Sequence, residues 1–135
     1  MLNSIIGARV RLHLANGWVF DPFIIGPDIV DYTMAAGSHP GRHAIQRTYY
    51  QRVAEGIETT AWYEESGEIV HFTWYLAGQT LHRFSAIPAW LAADFSVDRG
   101  DNQDPKFVEK IRKLASEKAD WPRQIMNDDG YFEVL

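Results

Sequence analysis

The firmest constraint in this chain is a period of two. Ala8, Val10, Leu12 and Leu14 alternate with Arg9, Arg11 and His13. That spacing puts the apolar side chains on one face of a strand and the charged ones in water. Asn16-Gly17 follows at once, a dipeptide that closes a two-residue hairpin because both positions tolerate positive φ. Further strands are expected over 18–25, 29–34, 42–53, 57–64, 68–76 and 80–86, with Asp21-Pro22 breaking the first of these as a bulge or bend. Turn residues separate them: Gly26-Pro27-Asp28, Gly37 to Gly41, Glu55-Gly56, Glu65-Ser66-Gly67 and Ala77-Gly78-Gln79. About seven strands joined by short turns specify an antiparallel meander that closes into a β-barrel.

The last third changes character. Pro88 opens a short apolar helix over 89–95, and a polar loop spans 96–104. Asp104-Pro105 then reads as N-cap and first residue of a second helix. Its apolar stripe of Phe107, Val108, Ile111, Leu114 and Ala115 needs a partner, and the barrel is the one available. Trp121-Pro122 ends the helical stretch, and 131–135 suits a final strand. No repeat or linker interrupts the pattern, so one domain over 1–135 is expected, mostly β with C-terminal helices.

Composition narrows the function. The 135 residues contain no cysteine, which excludes disulfides, thiolate metal sites and cysteine nucleophiles. A net charge of −5 argues against a nucleic-acid partner. The N-terminus has no basic start and no long apolar run, and nowhere do 18 apolar residues follow one another. No signal peptide and no membrane span are therefore expected, and the cytoplasm is the default location. Phosphate-loop, dinucleotide-binding and Gly-x-Ser-x-Gly patterns are absent. His13, His39, His43, His71 and His82 are scattered, so no metal is expected. Five Trp, six Tyr and seven Phe suit an aromatic-lined pocket, and equally an ordinary β core.

Charges inside strands are the candidates for chemistry. Glu64 shares a strand face with Trp62 and Thr60, where a partly desolvated carboxyl is suited to general-acid work. Arg42 starts a strand directly after Pro40-Gly41, and its guanidinium is a natural fork for a carboxylate. Both also fit solvated strand-end charges. Tyr32, in phase with Val30 and Met34, is a pocket hydroxyl or a packed core tyrosine. His82, in phase with Phe84 and Ala86, is a pocket residue or a satisfied core histidine. Leu12, Leu14, Val70, Phe72 and Trp74 are expected to face one interior, leaving Arg9, Arg11 and His13 outside.

These residues together resemble the bacterial phenolic acid decarboxylase family. The matching pieces are Ile6-Gly7, Asn16-Gly17-Trp18, Ile29 to Tyr32, Gly41-Arg42, Glu55-Gly56, Trp62 with Glu64, His82, Pro88-Ala89-Trp90 and Trp121-Pro122, in order along nearly the whole chain. The resemblance implies a lipocalin-like barrel, a homodimer, and decarboxylation of p-hydroxycinnamic acids with no cofactor. It also implies that Glu64 is the proton donor and Arg42 the carboxylate clamp. Tyr32, Trp62, Leu12, Leu14, Phe72, Trp74 and His82 would contact a small aromatic or unsaturated acid. One departure stands out: the family carries two tyrosines where this chain has Leu12 and Leu14. Each unmade hydrogen bond to a substrate costs roughly 1–3 kcal/mol. Either the substrate differs, or Tyr32 or His82 compensates, or catalysis is lost. Two other readings fit the same barrel: a non-catalytic lipocalin-type binder, and an enzyme resembling the molybdenum-cofactor-associated barrel proteins.

Overall fold

In the computed structural model, which describes residues 2–135, the alternating segments become nine strands. They are β1 (Val10–Leu14), β2 (Val19–Gly26), β3 (Ile29–Ala36), β4 (His43–Arg47), β5 (Tyr49–Ala54), β6 (Ile57–Tyr63), β7 (Ile69–Tyr75), β8 (Thr80–Ile87) and β9 (Gln124–Val134). Helices α1 (Ala89–Ala93) and α2 (Pro105–Glu117), with a 3-10 turn over Phe95–Asp98 between them, separate β8 from β9. Met1, the first residue of the expected domain span, lies outside the described residues. All nine strands form one antiparallel sheet in the order β4-β3-β2-β1-β9-β8-β7-β6-β5.

The segment 42–53, expected as one long strand, is cut at Thr48. β4 pairs with β3 and β5 with β6, so its two halves lie on opposite edges of the sheet. Thr48 holds the bend: its N–H donates to Asp28 O at 3.0 Å and its hydroxyl to Ala61 O at 3.2 Å. Covalent continuity through this residue draws the edges together and leaves a nearly closed, lipocalin-like barrel. Thr48, Tyr49 and Tyr50 favour strands and no glycine or proline marks the bend, so composition gives no sign of it; barrels turn corners where a strand changes neighbour.

β9 also differs from expectation. It covers 11 residues, not the five at 131–135, and it is inserted between β1 and β8. Its inward phase carries Met126, Asp128, Gly130 and Phe132, and the carboxylate and glycine in the middle break the apolar alternation. Gly130 sits where β1 comes close, and a Cβ there would stand 2.3 Å from His13 O. β2 runs through Pro22 rather than breaking there, with register shifts at Val19/Phe20 and Ile24/Gly26. The first helix stops at Ala93, and the chain continues as the 3-10 turn.

The period-two reading of the interior matches the structure. Leu12, Leu14, Val70, Phe72 and Trp74 are buried, Arg9 and Arg11 are exposed, and His13 is half-buried. One end of the barrel is plugged by the N-terminal segment, where Ile5 N–H donates to buried Glu58 at 2.6 Å and the Ser4 and Tyr50 hydroxyls join it. α2 buries Ile111 completely. No helix among the described residues is long and apolar enough to cross a membrane.

Candidate active site

The site sits at the barrel end opposite Glu58. In β6 the inward phase runs Glu58, Thr60, Trp62 and continues to Glu64. A tight turn follows, in which Glu64 N–H donates to Glu68 O at 2.8 Å and Gly67 N–H to Glu64 O at 2.9 Å. Gly67 takes φ 91°, a conformation that favours glycine. The turn sets Glu68 at the head of the inward phase of β7.

Glu64 is 5% exposed and Arg42 fully buried. Glu64 Oε1 accepts from the Tyr32 hydroxyl at 2.5 Å and from Trp62 Nε1 at 2.9 Å. Its Oε2 accepts from Arg42 Nη2 at 3.1 Å and from the Gln46 amide. Arg42 Nη2 also donates to Glu65 Oε2 at 2.9 Å, and Asn102 Nδ2 holds the other Glu65 oxygen at 2.8 Å. Asp98, delivered by the 3-10 turn, lies 3.8 Å from Arg42 Nη1 and 3.8 Å from His39 Nε2. Among the described residues nothing accepts from the buried Arg42 Nε and Nη1, an unusual condition for an arginine.

Burial decides most protonation states here. It pushes the Tyr32 phenol well up, helped by the Glu64 charge, so Tyr32 remains a donor. It pushes Asp98 up to about 7, with Arg42 opposing and Glu64 and Glu65 adding to the rise. It also pulls His39 down to about 4, aided by Arg42 and Arg99, so the imidazole is neutral at pH 7. Burial works against the Arg42 charge, but the Glu64 and Asp98 carboxylates more than offset it. Glu68 is raised well above the carboxylate range, first by burial and then by Glu64 and Asp98.

A cavity opens from this network into the barrel. About 30 Å³ of it can take the centre of a water molecule, within about 510 Å³ of unfilled space that reaches solvent. Leu12, Trp18, Phe20, Tyr32, Trp62, Val70 and Phe72 give it an apolar and aromatic wall. Glu64, Glu68, Asp98, His39, Arg83 and Ser85 give it polarity. Arg83 is already committed, donating to Asp128 through two bonds of 2.8 Å and lying 5.1 Å from the Trp18 ring. Among the described residues no three carboxylate or histidine side chains converge as a metal ligand set.

The structure thus brings Glu64, Tyr32, Trp62, Leu12 and Phe72 to one cavity, with Arg42 directly behind Glu64. Three expected contacts are placed elsewhere. Leu14 and Trp74 are buried in the core beyond the wall, with Trp74 Nε1 donating to Thr60 at 2.9 Å. His82 is on the outer face, because in β8 Leu81, Arg83 and Ser85 are the buried phase while Phe84 is 40% exposed. The outward phenylalanine and the inward arginine invert the usual hydropathy and conceal the register. Glu68, Asp98, His39, Gln46, Arg83 and Ser85 were not anticipated. Only Glu68 had a legible signal: it is in phase with Val70, Phe72 and Trp74.

Fold and site together define a lipocalin-like barrel with an internal aromatic cavity ending in a buried carboxylate–guanidinium pair. The chain matches the phenolic acid decarboxylase family model over residues 2–132 and belongs to that family of cofactor-independent decarboxylases. A solved structure from Burkholderia vietnamiensis, described as a "putative beta-lactamase", shares the fold with a TM-score of 0.64. It is 14% identical, over 97% of this chain and 95% of that one. Among curated proteins none gives a significant match.

Proposed function

We propose that the protein is a carboxy-lyase acting on a small aromatic or unsaturated carboxylic acid. The observation that carries this reading is the buried Glu64–Arg42 pair at the end of an aromatic cavity, in a chain of this family. Releasing carbon dioxide from an arylpropenoate requires a proton on the alkene carbon that bears the carboxylate, and a sink for electrons until the C–C bond breaks. A conjugated phenol supplies the sink as a quinone methide, releasing its hydroxyl proton to water as the alkene carbon is protonated and taking one back when the arylethene forms. The electrons then return, the arylethene forms and carbon dioxide leaves, with one proton taken up per turnover.

In this reading Glu64 gives that proton, held by Tyr32 and Trp62. Arg42 holds the substrate carboxylate through Nη1, one of its two nitrogens that meet no acceptor among the described residues. The substrate reaches it by displacing Asp98, the most distant of Arg42's three carboxylate partners at 3.8 Å. The ring lies among Leu12, Phe20, Val70 and Phe72. The cavity is narrow, so these side chains must move apart to admit it.

The test is a screen of arylpropenoic and other unsaturated acids, read by mass for loss of carbon dioxide. At least one acid should be converted by the natural chain and left intact by Glu64→Gln. An acid that occupies the cavity without ever losing carbon dioxide would replace this reading with that of a binding protein.

A further inference from the structure

The proposed reaction consumes a proton, yet Glu64 at rest is surrounded by donors. Tyr32, Trp62, Arg42 and Gln46 all donate to it. Glu68 is the reverse case. Its carboxyl lines the same cavity, and among the described residues no donor meets it. The bond from Glu64 N–H to Glu68 O at 2.8 Å makes the two a directly opposed pair across the turn. Residues so opposed leave the same face with Cβ atoms about 5 Å apart. Where such a pair turns both carboxyls into a cavity with little water, one of them keeps its proton. Four donors meet Glu64 and none of the described residues donates to the Glu68 carboxyl, so the proton falls to Glu68.

We propose that Glu68 stores the proton of this site and passes it to Glu64 at each turnover. It is a positioning and proton-supplying residue that acts through Glu64, and its role rests on the carboxy-lyase reading above. The step balances. A proton leaves the Glu68 hydroxyl for the Glu64 carboxylate, and Glu64 delivers it to the alkene carbon. The C–C bond then breaks, carbon dioxide leaves, and the Glu68 carboxylate takes a proton from water. Glu68 lines a cavity that reaches solvent, which supplies the route for recharging. The groups around it agree. Burial, Glu64 and Asp98 favour its protonated form, against opposition from Arg83 on β8 and Arg42. His39 is neutral and Tyr32 stays protonated. Glu65, in the turn itself, is occupied with Arg42 and Asn102.

Two measurements test this. The first needs no substrate: carbon-13 spectra of the side-chain carboxyls in the free protein, labelled at glutamate. A protonated glutamate should be present at pH 7, ionise as pH rises, and be missing from Glu68→Gln. Only ionised glutamates at pH 7, or a spectrum unchanged in Glu68→Gln, would overturn the proposal. The second is kinetic, on the acid found by the screen. Glu68→Gln should lose about 10–100-fold in kcat, with KM little changed, and should lose the fall in rate that the natural chain shows as pH rises. Glu68→Asp, which keeps a carboxyl, should recover part of kcat. A natural kcat and pH profile in Glu68→Gln would sink the relay. No turnover with any acid would instead remove the carboxy-lyase reading and the relay with it, and the spectra would separately report whether the pair shares a proton.

Discussion

Glu64 accepts four hydrogen bonds in a site it shares with a fully buried arginine. Gln in its place turns an NH2 group toward at least one of those donors and leaves Arg42 with less compensation. Breaking a buried ion pair from one side costs about 3–5 kcal/mol, and Glu65 remains to absorb part of it. Glu64→Gln should therefore fold but lose about 2–4 kcal/mol in denaturant unfolding; an unchanged midpoint would mean the network is not formed. Leu12 carries a second argument. It lines the cavity, whereas Leu14 is packed beyond it. Leu12→Tyr adds a hydroxyl inside the cavity, while Leu14→Tyr overfills a packed layer at about 1–3 kcal/mol. The natural chain should decarboxylate p-coumaric or ferulic acid slowly, and Leu12→Tyr should raise that rate more than Leu14→Tyr does. Rapid conversion by the natural chain, measured by absorbance of the vinylphenol, would show that hydroxyls in the first strand are dispensable.

The 3-10 turn over Phe95–Asp98 is the element that makes the polar end unusual, because it drives a carboxyl into the barrel mouth. Asp98 titrates at about 7 in the folded chain, mainly through burial, against about 4 when unfolded. Between those values the native state holds a proton the unfolded state has lost, so Asp98 costs stability increasingly as pH rises from about 4 to 7. His39 has the opposite slope: held at about 4 against 6.5, it costs stability as pH falls through that window. Asp98→Asn removes the first effect alone. It should match the natural chain near pH 4 and exceed it by up to about 4 kcal/mol at pH 8; equal stabilities at both pH values would contradict the assignment. Elements also explain what the sequence could reveal. β1 and β7 have an apolar buried phase, so Leu12 and Phe72 are legible as interior; β6 buries Glu58 and Thr60 with Trp62 and turns Ile57, Ala61 and Tyr63 the other way, so hydropathy alone does not place Trp62 and Glu64. β8 and β9 mix the phases, with Arg83 buried by its bonds to Asp128 and Phe84 turned outward, so His82 was assigned to the wrong face. The corner at Thr48 and the arrival of Asp98 are tertiary events, set by contacts such as Thr48 with Asp28 and Ala61 that no local pattern encodes.

At the scale of the whole molecule, the barrel has two unlike ends. One is plugged, with Glu58 satisfied by Ile5, Ser4 and Tyr50. The other ends in a network where, among the described residues, two Arg42 nitrogens meet no acceptor and the Glu68 carboxyl no donor, beside an aromatic cavity. Buried polar groups without partners carry a desolvation cost that binding an acidic ligand would relieve. In the proposed reaction this end removes carbon dioxide from such a ligand, with Glu64 giving the proton. The most direct measurement supplies arylpropenoic acids labelled with carbon-13 at the carboxyl and follows release of labelled carbon dioxide, natural chain beside Glu64→Gln. The natural chain should release it and the variant should lose about 100-fold or more, under conditions where unfolding curves show both to be folded. Release at the same rate from both, or from neither, would contradict the proposed reaction.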